Sequence, residues 1–354
     1  VLLAGATDLM EIVMAIVLSS ATGYVLVAYH RRSKFSSEAA MKYFLLAALT
    51  SSGMLIGVAL LFGLAGTTTL TGLHEGLPDE AAALVVGAAL IITALAFKMG
   101  SVPAHAWMPD VAQGAPVPVA AFVTTVPKIG GLVALARLAS ILPDSVGWRP
   151  LVALIAGATM TLGNLAALWQ DDVRRLVGWS SVSQTGYGLM AVVALGRSDL
   201  AVPSLMFFLL AYTLANVAAF GVVEELRGRT DRAAYAGLAR AHPFLAMALV
   251  ISFLSLIGIP PLVGFGAKLA LFTASIEASY EWLAVVAAIN TVVSIFYYVR
   301  VLAPAYFDEL PAPVPVLGPW AASATYTMAL GVVAAGVVAE PVLDALRSAQ
   351  LLPN

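Results

Sequence analysis

FKMGSVPAHAWMPDVAQGAPVPVAAFVTTVPKIGG, residues 97–131, holds the pattern on which the rest of the chain is read. A charge-free run, Ala81 to Phe97, leads into it, and a second, Val111 to Pro127, lies within it. Each run ends on a lysine, Lys98 or Lys128. Runs of this kind approach the length of about 20 apolar residues that a spanning helix needs. Between them Gly100, Pro103, Pro109, Gly114, Pro116 and Pro118 work against a regular helix. Irregular backbone at membrane depth survives only where it is buried in protein or lines a wet cavity. A transport site next to a broken helix fits that rule, and so does a re-entry loop beside an ordinary structural helix.

The same pattern extends outward. The chain has 354 residues, 61% hydrophobic and 11% charged, with a mean hydropathy of +0.94; a soluble domain carries about 25% charge. The composition predicts an all-α polytopic membrane protein. Ten spans are expected, near 9–29, 40–63, 82–100, 117–141, 151–169, 174–195, 201–223, 243–275, 282–304 and 318–341. The stretch 243–275 is too long for one straight crossing, and Gly258, Pro260, Pro261, Gly264 and Gly266 interrupt it. Basic loops fall on one side of this alternation: His30, Arg31, Arg32 and Lys34; Arg174 and Arg175; Arg227, Arg229, Arg232 and Arg240. The opposite loops carry His74, Glu75, Asp79 and Glu80, then Glu277 and Glu281. The positive-inside rule makes the basic side cytoplasmic and puts both termini of this segment outside. The chain begins at Val1 with no cleavable signal peptide in view. A net charge of −2 gives no reason to expect a nucleic-acid partner. The absence of cysteine excludes disulfides and cysteine-held iron–sulfur clusters.

The chain has thirteen arginines, nearly all in loops or at span ends, and five lysines. Lys98, Lys128 and Lys268 each follow a long charge-free run. A charged side chain in the bilayer costs about 2.5–3.5 kcal/mol on insertion scales. Arginine keeps its proton inside a protein, whereas a desolvated lysine can lose one, so a relay can use buried lysine but not arginine. Snorkelling to an interface is the alternative, easiest for Lys98 near the end of its span and harder for Lys128 and Lys268. His30, His74, His105 and His242 all lie near span ends, which argues against a haem held across the membrane. No Gly-Lys pair occurs, hence no P-loop. The expectation is a chain with no redox centre and no nucleotide hydrolysis of its own.

Residues 97–131 resemble the signature of the antiporter-like subunits of respiratory complex I (NADH-quinone oxidoreductase) and of Mrp-type antiporters, the proton-conducting membrane transporters. EAAMKYFLLAAL (38–49), NLAALWQDDVRRLVGWSSVSQTGYG (164–188), LLAYTLANVAAFGVV (209–223) and LSLIGIPPLVGFGAKLALF (254–272) are similar to the NuoN-like, ND-two-type branch. The resemblance implies an inverted-repeat fold with two broken helices. Residues 1–145 would form an N-terminally truncated first repeat broken near 98–109. Residues 146–305 would form the second, broken near 257–267, and 306–354 a C-terminal helix. It implies that Lys98 and Lys268 lie on the broken helices, that Lys128 links the half-channels, and that Lys42 is a further relay lysine. His105, Trp107, Pro109 and Asp110 match the loop motif, and Gln184 and Tyr187 stand as supporting residues. The family's glutamate in the first helix falls, ungapped, on Val17; Glu11 is six positions away, and a histidine common in the family is replaced by Gln184. The first four family helices are expected to be missing.

The function implied is proton translocation in the membrane arm of a complex I-type oxidoreductase. No catalytic chemistry is expected in this chain. Quinone, flavin and iron–sulfur clusters belong to partner subunits, and the partners are other membrane-arm antiporter-like and small subunits in the bilayer of the inner (cytoplasmic) membrane. A gradient-driven Mrp-type antiporter or ion-coupled uptake subunit, and a non-conducting structural subunit, remain as alternatives.

Overall fold

The computed structural model describes residues 1–348 except 31, 80, 228 and 310–317; Arg31 and Glu80, counted above among the loop charges, lie outside the described residues. The described chain is helical. In order, the helices are α1 (Leu2–Gly5), α2 (Leu9–Val27), α3 (Lys34–Ala65), α4 (Leu70–Gly76), α5 (Ala82–Met99), α6 (Trp107–Gly114), α7 (Val117–Ile141) and α8 (Trp148–Leu168). There follow α9 (Val173–Ala194), α10 (Ala201–Glu225), α11 (Leu238–Ala241), α12 (Pro243–Ile257), α13 (Val263–Glu277), α14 (Glu281–Phe307), α15 (Pro319–Val337) and α16 (Ala339–Leu346). Among the described residues the only β-type pairing is two isolated bridges, Asp8 with Thr69 and Asp172 with Asp231.

Eight of these helices are long and apolar enough to cross a membrane: α2, α3, α5, α7, α8, α10, α14 and α15. The two other expected spans differ for physical reasons. The stretch 243–275 is the pair α12 and α13, with an interruption at 258–262. The span at 174–195 is α9, whose Arg174, Arg175, Ser180, Ser181, Ser183, Gln184 and Thr185 make it polar for its length. Such a helix cannot face lipid, and it is buried almost end to end. It runs through the interior, packed by α6, α7, α8, α10, α13 and α14. Close approach to α8 depends on glycine. A Cβ at Gly163 would lie 2.6 Å from the Ser183 nitrogen, and one at Gly186 2.6 Å from the Ala156 carbonyl. Small residues at the interface are how helices gain packing where lipid offers no hydrophobic drive.

Side-chain caps mark several starts. Asp8 accepts from the Met10 amide at 2.7 Å, and Asp172 from the Arg175 amide at 2.8 Å. Contacts sort the loops into two ends, as the alternation predicts. Tyr29, His30, Gln113, Asp172, Arg174 and Arg227 line one cavity at the basic end. At the other end Arg137 donates to the Ala6 carbonyl (2.8 Å), Ser145 to the Asp79 carbonyl (2.5 Å), and Ser198 to the Glu277 carboxylate (2.5 Å).

Candidate functional site

Three lysines are buried: Lys98 and Lys128 are fully enclosed and Lys268 is 4% exposed. None snorkels. Lys98, near the C-terminus of α5, donates to the Ser20 hydroxyl at 3.1 Å and lies 3.4 Å from the Tyr43 hydroxyl. Tyr43 stacks on Trp107, with centroids 4.4 Å apart. Lys128, just past Pro127 in α7, donates to the Ser181 carbonyl (2.5 Å), the Ser181 hydroxyl (2.8 Å) and the Tyr212 hydroxyl (3.2 Å). Its ammonium also stands 4.3 Å from the centre of the Tyr212 ring. Lys268 donates to the carbonyls of Leu256 and Ile257, both at 2.9 Å, and lies 4.0 Å from the centre of the Tyr187 ring.

The polar face of α9 joins these positions. Thr185 donates to the Met99 carbonyl, next in sequence to Lys98, at 2.9 Å, and sits 3.1 Å from the same Ser181 carbonyl that Lys128 holds. The adjacent residue, Gln184, donates to the Leu256 carbonyl at 2.9 Å, sharing that acceptor with Lys268. Tyr187 anchors its hydroxyl on α14, within 3.1 Å of the Ala287 carbonyl and 3.0 Å of the Thr291 hydroxyl. Groups of α9 therefore hold Lys128 directly, share the Leu256 acceptor with Lys268, and reach the residue next to Lys98. Among the described residues no carboxylate forms an ion pair with any of them.

Both helix interruptions sit against this line, and both follow one local logic. Gly100 and Gly258 take left-handed conformations, at φ +71° and +98°, which only glycine adopts without strain. Each is followed by a cis peptide, Val102–Pro103 and Pro260–Pro261. In an uninterrupted helix the Met99 carbonyl would accept from residue 103, and the Leu256 and Ile257 carbonyls from 260 and 261. All three positions are proline and have no N–H to give. Thr185 serves Met99, and Lys268 and Gln184 serve Leu256 and Ile257. Trp107 adds an indole bond to the Phe97 carbonyl at 3.0 Å.

The remaining residues singled out in the sequence lie elsewhere. Lys42 is half-exposed, not on the buried line; it pairs with Glu38 at 2.6 Å and Asp110 at 2.7 Å. Asp110 also holds Arg175, linking α3, α6 and α9 at the basic end. Burial pushes the Asp110 carboxyl up, but its bonds to Lys42 and Arg175 outweigh that and hold it below its ordinary value. His105 packs its ring 5.6 Å from Trp179; burial holds its imidazole below the usual value, against a bond to the Pro103 backbone. Val17 is 46% exposed. The α2 residue that meets Lys98 is Ser20, one turn on, and the Glu11 carboxylate is occupied by the Thr7 amide at 2.9 Å. Ser20, Tyr43, Ser181 and Tyr212 were not singled out from the sequence. The run of hydroxyl residues SSVSQT (180–185) inside an apolar chain was the available signal for Ser181.

A family model described as NADH:quinone oxidoreductase/Mrp antiporter, transmembrane, matches residues 6–294. The chain is 48% identical over 305 residues to NADH-quinone oxidoreductase subunit N of Mycobacterium sp. (strain JLS), covering 86% of this chain and 65% of that protein. It is 44% identical over 350 residues to NADH-quinone oxidoreductase subunit N 1 of Streptomyces griseus, covering 97% and 74%. The chain thus spans about two thirds to three quarters of the length of these two relatives. A chain of respiratory complex I from Thermus thermophilus with bound aureothin superposes with a TM-score of 0.87 at 33% identity, over 98% of this chain and 77% of that one.

Proposed function

The chain belongs to the NADH:quinone oxidoreductase/Mrp antiporter family of membrane proteins, and on that premise we propose that it translocates protons as a subunit-N-type member of the membrane arm of a complex I-type oxidoreductase. The observation that carries the reading is three enclosed lysines set around the polar helix α9, at a depth where a fixed charge is costly. Lysine ammoniums bonded to hydroxyls and carbonyls can release a proton without stranding a partner carboxylate. In this reading protons enter from the basic, cytoplasmic side near Lys98 or Lys268, pass Lys128 through Ser181, Tyr212 and ordered water, and leave on the outer side. Lys42 and Asp110 act at the rim. Electron transfer, with its flavin, iron–sulfur clusters and quinone, takes place in partner subunits, and the only chemistry in this chain is proton transfer. The inner-membrane location, with both described ends on the outer face, follows from the same reading.

Lys128→Ala in the assembled complex tests it. Proton translocation per electron transferred should fall by about 100-fold or more, as for loss of a proton-transfer group, while assembly persists. Lys128→Arg, which keeps the charge but not the exchangeable proton, should fail equally. Undiminished pumping in Lys128→Ala would leave a structural subunit as the answer.

A further inference from the structure

Two cavities at the basic end meet along one edge. The first, about 720 Å³, is a chamber whose lining includes the charged or ionisable residues His30, Asp172, Arg174, Glu224 and Arg227. The second, about 380 Å³, is an apolar groove over α10 between α7 and α15, with Ala121, Phe122, Val126 and Val217 in its walls. Val117, Pro118 and Glu224 line both. Along α10 the groove runs from Glu224 to Thr213, about 17 Å at 1.5 Å per residue, close to one leaflet of a ~30 Å hydrocarbon core. We propose that the chamber and groove together form a binding site for one zwitterionic phospholipid with a primary-amine headgroup.

Shape and charge both select this ligand. An acyl chain is narrow enough to lie along the apolar walls of the groove. Two arginines and two carboxylates line the chamber, so their formal charges balance. An anionic headgroup gains nothing net there, while a phosphate–ammonium dipole finds partners for both ends. The Arg174 guanidinium, 9% exposed, is held in place by the Ala112 carbonyl (2.9 Å) and the Ala115 carbonyl, and Arg227 is exposed at the rim. The Asp172 carboxylate is engaged by the Arg175 amide (2.8 Å) and Gln113 (3.2 Å); Glu224 also faces Arg174, but it stands where chamber and groove meet and is the carboxylate placed for the ammonium. The positive N-terminus of the 25-residue helix α7 opens on the same edge, a second attraction for phosphate. None of these groups touches the lysine line, so the site stands whether or not the chain moves protons.

The test uses the intact complex, equilibrated with vesicles of phosphatidylethanolamine, phosphatidylcholine and phosphatidylglycerol in equal amounts, with retained lipid counted by mass spectrometry. Ala121→Trp, which fills the groove, should remove one phosphatidylethanolamine per complex and leave the other two lipids unchanged. Glu224→Gln should lower the preference for ethanolamine over choline about two- to five-fold, the worth of a partly exposed ion pair. A diazirine-labelled phosphatidylethanolamine should cross-link the wild-type chain within 117–126 and 213–221. Unchanged lipid content in Ala121→Trp, loss of phosphatidylglycerol instead, or cross-links only outside those segments would overturn the proposal.

Discussion

The two helix interruptions begin alike and end differently. Each opens on a left-handed glycine, and prolines then deprive the end of the preceding helix of backbone donors. At the first, neutral groups repair the loss: the Thr185 hydroxyl, the Trp107 indole and the Ser101 amide, which bonds the Ala96 carbonyl at 2.8 Å. Lys98 takes no part and turns away to Ser20 and Tyr43. At the second, Lys268 is itself the cap, with both of its bonds on the end of α12. A cation there also meets the negative end of the helix dipole. The lesson concerns coupling: the charge on Lys268 bears on the geometry of its break, and the charge on Lys98 does not. Elsewhere the chain uses arginine for the same task, Arg149 on the Val193 and Leu195 carbonyls and Arg300 on Leu168. Those caps are permanent because arginine keeps its proton; at the second break the cap is a group able to lose one.

The sharpest way to break this contrast is to remove each lysine in turn. Lys268→Ala strips two charge-assisted bonds, each worth about 1.5–3 kcal/mol. Hydrogen exchange across 254–266 should quicken roughly 100- to 10,000-fold, while Lys98→Ala leaves 97–107 unchanged; equal effects at the two breaks would erase the distinction. A smaller change is expected from Trp107→Phe, because the Phe97 carbonyl keeps the Gly100 amide at 3.0 Å. Its cost should be about 1 kcal/mol, read as faster exchange at the first break alone. The smallest effect belongs to the rim. Asp110 is held below its ordinary value of 3.8, so its pairing contributes stability above that pH and loses it as pH falls through the depressed value. Asp110→Asn should cost about 1 kcal/mol or less at pH 7, nothing in strong acid, and should leave exchange at both breaks untouched. A pH-independent penalty in thermal unfolding would refute the ion-pair account.

Much of this architecture is written in one dimension. Charge-free runs of spanning length place the apolar helices, because bilayer thickness sets a length that composition must meet. Loop charges sort the two ends, and Pro103, Pro260 and Pro261 mark the carbonyls that lose their donors. Lys98, Lys128 and Lys268 stand out because charge inside such runs is expensive. What the sequence by itself could not determine is which groups meet. Ser20 reaches Lys98 across 78 positions, Ser181 reaches Lys128 across 53, and Gln184 reaches Leu256 across 72. Val17, the position expected from the ungapped motif resemblance, is 46% exposed, and Ser20 one turn on holds the bond. Local chemistry creates an unsatisfied carbonyl or a buried ammonium; only helix packing decides the partner. That is why the tertiary structure alone made Lys268 a helix cap and left Lys98 outside its own break.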